Sequence, residues 1–370
     1  MIAKLSRWIA RVAFASSIAP LMVATAVVAV TTPALSQPSG TYLRVVDVGA
    51  GLCVVATTPD GHSMVYDAGR GSEKCANAVR ELVPGQRIDL LVLSHSDADH
   101  VGATRSILAY ADVATIIHPG DPRGPLLTPI RQDILAEGAD DWNLQTRAPR
   151  PGQVFRVGEA TATFVAGWPR GSDTRGPGEP ALGDEGLHNG LSIVIRFEYR
   201  GHAVLLTGDT VGRLISRDDS LCQYAERIMV ERSASVSLRS DVLIGQHHGA
   251  DNATSNCFIR AVKPLELDRP LSVVFSAGNM YRHPRQSAVD RLVANGVLPQ
   301  NIFRTDYGGY EGGTGREREW ITGTFANCRD EAGDDDVEVW LPTQVGEPVV
   351  TAYRTPPTGC SVPVRRRSRR

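Results

Sequence analysis

The chain has 370 residues, 42% of them hydrophobic, and a formal net charge of −2. That length and apolar share supply one large core or two small domains. Setting aside three basic residues near the start and five arginines at 365–370 takes the body from −2 to −10, which excludes the broad basic footprint of a strong nucleic-acid binder.

Lys4, Arg7 and Arg11 precede an apolar run over residues 12–30, and Ala34-Leu35-Ser36 follows it. A basic start, an apolar middle and small residues read as a secretory signal over 1–36, cut between Ser36 and Gln37. The run is also just long enough to cross a bilayer as an uncleaved anchor. Ser16, Ser17 and Pro20 weaken it as a span, and no later segment is long and apolar enough to be one. The mature chain is therefore expected to be exported, periplasmic or secreted, without a stable membrane span. Its six cysteines all follow the leader, an even number suited to an oxidising compartment. No CxxC pair occurs, which argues against a thiolate zinc site. Nearest-neighbour pairing (Cys53–Cys75, Cys222–Cys257, Cys328–Cys360) is the simplest of several possible arrangements.

Residues 41–48 and 52–58 are β-rich runs around Gly49-Ala50-Gly51, the pattern of a hairpin. A turn at Pro59-Asp60-Gly61-His62 leads to a third strand over 63–66, and 75–82 suits a short helix. Residues 88–93 form a continuous apolar run, the mark of a strand buried on both faces. His95–His100 follows directly, and 101–110 reads as one helix. A Pro- and Gly-rich section over 119–186 holds a helix (129–137), a strand pair (153–156, 160–166) and an irregular stretch (168–186) of the kind that forms lids or site walls. Strands over 191–199 and 203–207 come next. Helix (221–231), strand (241–245), helix (254–262), strand (271–276) and helix (286–295) then alternate. A Gly-rich segment, an acidic loop over 330–338 and short strands to 353 close the chain. Strands punctuated by helices through two halves predict two packed sheets with helices outside.

The chemistry concentrates at three strand ends. His95-Ser96-Asp97-Ala98-Asp99-His100 puts four metal-ligating side chains on one strand-to-helix turn, so they can converge on one or two cations at small backbone cost. A solvated loop with an Asp N-cap is the bland alternative, and it gives no reason for two histidines bracketing two aspartates. Leu205-Leu206-Thr207-Gly208-Asp209 delivers a carboxylate past another apolar strand, although Gly-Asp after a strand is ordinarily a turn. Gln246-His247-His248-Gly249 ends a third. Each of the last two is weak alone, but three strands ending in His or Asp are hard to assign to chance.

These residues resemble the HxHxDH signature of the metallo-β-lactamase fold, with Asp97 where many relatives carry His. Within it the chain is similar to the soluble metallo-hydrolase domain of ComEC-type competence proteins. The matching stretches include Asp47-Val48-Gly49, Tyr66-Asp67-Ala68-Gly69, Ser94 with the His95–His100 cluster, Asn189 to Ser192, Leu205 to Asp209 and Gln246-His247-His248-Gly249. Tyr281-Arg282-His283-Pro284 and Phe303-Arg304-Thr305-Asp306 complete the series over 42–307. The resemblance implies a four-layer αβ/βα sandwich of two mixed sheets with helices on the outer faces. With the leader and the basic tail read above, the chain divides into a leader (1–36), a hydrolase domain (37–325) and an extension with acidic loop and basic tail (326–370). The resemblance also implies two divalent cations, Zn²⁺ or Mn²⁺ and possibly Mg²⁺, the first held by His95 and Asp97 and the second by Asp99 and His100. Asp209 bridges them and His247 completes the set. The third motif admits His188 or Asn189, with Asn189 at the ComEC-like spacing. His248 and His283 fall to substrate contact or proton donation, and Asp99 and Asp209 to catalysis, although a turn histidine before Pro284 is an equal reading of His283.

Three carboxylates and few imidazoles make a hard site, which favours phosphoryl substrates. The expected activity is metal-dependent hydrolysis of a small-molecule or nucleic-acid phosphodiester. An acyl hydrolase of the same fold and a metal-binding protein without turnover are the alternatives. The family's DVGQGD reads Asp47-Val48-Gly49-Ala50-Gly51-Leu52 here, without its Gln and second acid.

Overall fold

The computed structural model describes residues 39–71, 73–120, 127–215, 220–266, 268–278, 281–306, 319–320 and 335–355. The leader at 1–36, the Cys328–Cys360 pair and the basic tail lie outside them. Three antiparallel strands come first: β1 (Gly40–Val45), β2 (Val54–Thr57) and β3 (Ser63–Tyr66). Helix α1 (Glu73–Leu82) then leads to β4 (Arg87–Val92), parallel to β3. Helices α2 (Ala98–Val101) and α3 (Thr104–Leu108) precede β5 (Asp112–His118), and α4 (Leu127–Glu137) precedes β6 (Asp140–Asn143). Both strands add in parallel.

The second sheet starts with β7 (Val154–Val157) and β8 (Ala160–Ala166), followed by α5 (Asp184–Asn189), β9 (Val194–Tyr199) and β10 (His202–Leu206), all antiparallel. It continues in parallel through α6 (Tyr224–Arg232), β11 (Val242–Ile244), α7 (Asn256–Val262), β12 (Ser272–Phe275), α8 (Gln286–Ala294) and β13 (Ile302–Arg304). Strands β14 (Val337–Pro342) and β15 (Val350–Tyr353) then return to the first sheet. The sheets hold eight and seven strands, in orders β15-β14-β1-β2-β3-β4-β5-β6 and β13-β12-β11-β10-β9-β8-β7.

Strand patterning explains the layers. Along β4, Leu90 and Val92 enter the core between the sheets, while Leu91 packs under α1, α3 and α4. On β10, Val204 and Leu206 face inward, and Leu205 meets the apolar sides of α6, α7 and α8. Side-chain alternation thus buries both faces of each central strand, giving the expected αβ/βα sandwich.

Three expectations change. The single helix over 101–110 is two short ones, broken at Ala103, whose φ of −95° and ψ of 8° leave the helical range while Gly102 stays within it. Strands β5 and β6 have no counterpart in the sequence reading; β6 is a short edge strand reading Asp-Asp-Trp-Asn. The hydrolase domain does not end at 325 either. Six residues of β14 pair in register with β1, from Gly40↔Pro342 to Val45↔Val337, so 337–353 belong to the first sheet. Tyr42 ties this seam, its hydroxyl donating to Glu338 of β14 at 2.7 Å and accepting from Arg44 Nε at 2.9 Å.

Two of the three nearest-neighbour cysteine pairs form. Cys53–Cys75 joins the start of β2 to α1 and Cys222–Cys257 joins the segment before α6 to α7, with Cα separations of 5.9 and 5.6 Å. No helix among the described residues is long and apolar enough to cross a membrane.

Stopping the chain at residue 325 exposes the N–H and C=O groups of β1 as a long apolar edge. Such a chain is expected to aggregate or lose cooperative urea unfolding, whereas one stopped at 356 keeps the full-length transition. A cooperative midpoint for the shorter chain equal to that of the full length would show that β14 and β15 are dispensable.

Candidate metal centre

The site lies past the C-terminal ends of parallel strands in both sheets, where helices start and side chains can converge. Asp67 follows β3, His95–His100 follows β4, Asp209 follows β10, His247 and His248 follow β11, and Ser276 follows β12. Asp67, His247 and His248 have φ of 58°, 46° and 55°. This left-handed backbone turns the chain sharply at the strand end, a strain that proteins keep at functional sites.

The imidazoles share one arrangement. His100 Nδ1 is 2.7 Å from Asp67 Oδ2, His247 Nδ1 is 2.8 Å from Asn252 Oδ1, and His248 Nδ1 donates to the Ser276 carbonyl at 2.7 Å. His95 Nδ1 lies 2.9 Å from Ser94 Oγ. With each Nδ1 engaged, the Nε2 atoms turn toward Asp209. They lie 3.3 Å (His100), 3.4 Å (His248), 3.9 Å (His95) and 3.9 Å (His247) from its carboxylate.

At these strand ends two groups have ligand atoms close enough to share a cation: His95, His100 and Asp209, and Asp99, His100 and His248. Of the adjacent pair it is His248, and not His247, that belongs to the second group. It approaches Asp99 to 4.0 Å and His100 Nε2 to 3.3 Å. His247 sits instead beside Asn189, whose Nδ2 is 3.1 Å from its Nε2. The two candidates for the third motif split. Asn189 joins the His247 side, while His188 Nε2 lies 3.0 Å from both Asp97 Oδ1 and Ser96 Oγ. Asp97 is half exposed, 3.5 Å from His95 Nε2. His283 lies farther out, its ring 5.9 Å from that of His247 and 6.4 Å from that of His248.

Charge follows this geometry. Burial raises the Asp209 carboxyl, but His100, His248 and His247 outweigh it and hold it well below the usual range. Asp97 is likewise raised by burial and lowered further by His188 and His95. Burial lowers His100, yet Asp209 and Asp67 drive it well above an ordinary histidine, and Asp209 does the same for His248. His247 ends below its usual value because burial dominates. Burial, helped by His248 and His247, pushes His283 down to about 2, so it is a neutral ring.

His95 Nε2, Asn189 Oδ1 and Asp209 Oδ1 are buried and have no hydrogen-bond partner. Buried polar atoms ordinarily find one. Lone-pair atoms left this way beside tautomer-fixed imidazoles and carboxylates fit divalent cations, whose histidine ligands characteristically give their other nitrogen to an oxygen acceptor.

The sequence reading gave no role to the supporting groups. Asp67 accepts from Ser94 N (2.6 Å), Ser94 Oγ (2.7 Å) and His100. Its signal was an acid at the end of a strand before Ala-Gly. Ser192 Oγ donates to Asn189 O at 2.8 Å and accepts from Asp209 N at 3.2 Å. Arg304 is fully buried, closes on Asp306 at 2.7 and 2.8 Å and on Glu319 at 2.9 Å, and donates to the His283 carbonyl at 3.2 Å. The Phe303–Asp306 stretch thus holds the loop that carries His283.

The family model described as the metallo-beta-lactamase superfamily matches residues 46–264, and the chain belongs to that superfamily. It is 28% identical over 267 residues to competence protein ComA of Neisseria gonorrhoeae, covering 71% of this chain and 30% of that protein. ComE operon protein 3 of Bacillus subtilis is 24% identical over 226 residues, covering 60% and 24%. Recombination protein 2 of Haemophilus influenzae is 26% identical over 272 residues, covering 70% and 27%. The chain thus matches less than a third of the length of each of these relatives.

Asp67→Asn is expected to weaken divalent-metal binding about 10- to 100-fold, read by competition with a chromophoric chelator. An unchanged affinity would mean that Asp67 does not act through His100. Arg304→Met removes the guanidinium on which buried Asp306 and Glu319 close and should cost about 3–5 kcal/mol in urea unfolding.

Proposed function

We propose that this chain is an exported, metal-dependent phosphodiesterase with a dinuclear centre around Asp209. The observation that carries the reading is the convergence on Asp209 of four Nδ1-anchored imidazoles, with Asp97 and Asp99 at its edge. Three carboxylates make this a hard donor set, which favours Mn²⁺ or Mg²⁺ beside Zn²⁺, and phosphoryl beside acyl chemistry. Relatives named for competence and recombination agree with a phosphodiester substrate. The two disulfides agree with an oxidising compartment after export, and the hydrolase domain then runs from 37 through β15.

In this reading His95, Asp97 and Asn189 would hold one cation and Asp99, His100 and His248 the other, with the Asp209 carboxylate available to both. Such a pair supplies Lewis acidity toward a phosphoryl oxygen and acidifies a water. His188 orients Asp97, and Asp67 and Ser276 fix the tautomers of His100 and His248. His247, the more exposed of the adjacent pair, contacts substrate in place of His248. His283, neutral and with Nδ1 unpartnered, accepts a hydrogen bond from substrate and does not carry a proton to the leaving group.

The test is turnover of bis(p-nitrophenyl) phosphate by mature protein reconstituted with Mn²⁺ or Zn²⁺. Asp209→Ala should lower kcat/KM by about 10³-fold or more, as loss of several kcal/mol of charge stabilisation requires. Wild-type activity no higher than that of Asp209→Ala would sink the proposal, and turnover of a lactam or lactone alone would replace it with acyl hydrolysis.

A further inference from the structure

Arg70 is the cation beside this site that the metal centre does not explain. It sits between Gly69 (φ 67°) and Gly71 (φ 64°), on the turn after Asp67. That turn is fastened to the ligand-bearing loop: Ala68 N donates to His100 O at 2.6 Å and Gly102 N to Gly69 O at 2.8 Å. A side chain at Gly102 would come within 2.8 Å of Arg70 C, so the two segments pack backbone to backbone. Arg70 is therefore held in fixed register with Asp99 and His100.

Its guanidinium is little used. Nη2 donates to the Tyr281 hydroxyl at 3.5 Å and stops 4.0 Å from Asp99 Oδ2, and the side chain is 41% exposed. Structural arginines elsewhere in this chain engage at least two donors at short range, on a carboxylate or, like Arg291, on backbone carbonyls. Arg304 does so on Asp306 at 2.7 and 2.8 Å, and Arg269 on Asp241 at 2.9 and 2.7 Å. A guanidinium has five donors in a fixed fork, and Arg70 commits one of them, at long range. Tyr281 is itself half exposed, its ring stacked 6.1 Å from His283, which stacks in turn on His248. Arg70 thus stands at the open end of a ladder of rings that leads inward to Asp209.

We infer that Arg70 is a specificity-determining residue that donates to the non-bridging oxygens of a phosphoester seated against Asp99, with the Tyr281 hydroxyl steering its fork. Planar, bidentate recognition of phosphate is what guanidinium does and ammonium does not. The assignment rests on the phosphodiesterase reading, and the test separates the two.

Full-length wild type, Arg70→Ala, Arg70→Lys and Tyr281→Phe are loaded with Mn²⁺. Inorganic phosphate is titrated calorimetrically, bis(p-nitrophenyl) phosphate turnover is followed, and metal content is measured. Arg70→Ala should weaken phosphate binding and raise KM by about 10- to 100-fold, the range of a hydrogen bond to a charged group, with metal content unchanged. Arg70→Lys should recover part of that loss, and Tyr281→Phe should raise KM about threefold with kcat unchanged. Phosphate affinity and KM within twofold of wild type in Arg70→Ala overturn the assignment. So does loss of metal in that variant, which would place Arg70 in support of Asp99. Wild type that binds phosphate through Arg70 but cleaves no phosphodiester removes the phosphodiesterase reading and leaves this one standing; wild type that binds no phosphate removes this one.

Discussion

The buried carboxylate of Asp209 is the constraint around which the molecule is arranged. An ionised group this deep costs several kcal/mol unless opposite charge or donors surround it. The compensation comes from the ends of strands in both sheets: His95 and His100 from the first, His247 and His248 from the second. The inter-sheet core brings these strand ends together, since Leu90 and Val92 of β4 pack in the same cluster as Val204 and Leu206 of β10 and Ile244 of β11. Packing and electrostatics are therefore coupled. A shift between the sheets would separate Asp209 from the imidazoles that offset its burial.

How much of this was legible in the sequence follows from the range of each signal. The β4 run and the His95–His100 cluster are local, and both appear where the sequence put them. The hairpin of β1 and β2 and the alternation after 241 are local as well, set by turn residues and strand composition. Pairing between distant segments leaves no such mark. Nothing in Val337–Pro342 shows that it pairs with Gly40–Val45 some three hundred residues earlier, so β14 and β15 read as an extension. Strand β6 escaped notice because Asp-Asp-Trp-Asn lacks alternation and lies at an edge. The placing of the two adjacent histidines was harder still. His247 and His248 are adjacent and chemically identical, and only two successive left-handed residues decide which ring meets Asp99.

The altered Asp47–Leu52 stretch shows which part of a motif belongs to scaffold. Leu52 N donates to Asp99 O at 3.1 Å and Gly69 N to Leu52 O at 2.8 Å, contacts that any residue at 52 can make. A Cβ on Gly51 would lie 2.5 Å from Asp99 O, and one on Gly278 would lie 2.3 Å from Ala50 N. Backbone is therefore packed on backbone around Asp99. The Leu52 side chain, where the family pattern has an acid, enters the inter-sheet core. Asp47 accepts from Gly49 N at 3.0 Å and shapes the turn. The support of Asp99 survives the two substitutions, and what they remove is polar reach beyond it.

That loss bears on how an acidic protein could attract an anionic substrate. A body at −10 repels phosphate at long range, and screening confines this repulsion to about 8 Å at physiological salt. Inside that distance local charges decide. Two divalent cations would bring four positive charges against the three carboxylates of Asp97, Asp99 and Asp209, with His283 neutral. Bound cations invert the local electrostatics of a site in this way. An acid at position 52 would have added to the carboxylates already present, and the core leucine in its place does not. The acidic surface and an anion-seeking centre are then compatible, because they act over different distances.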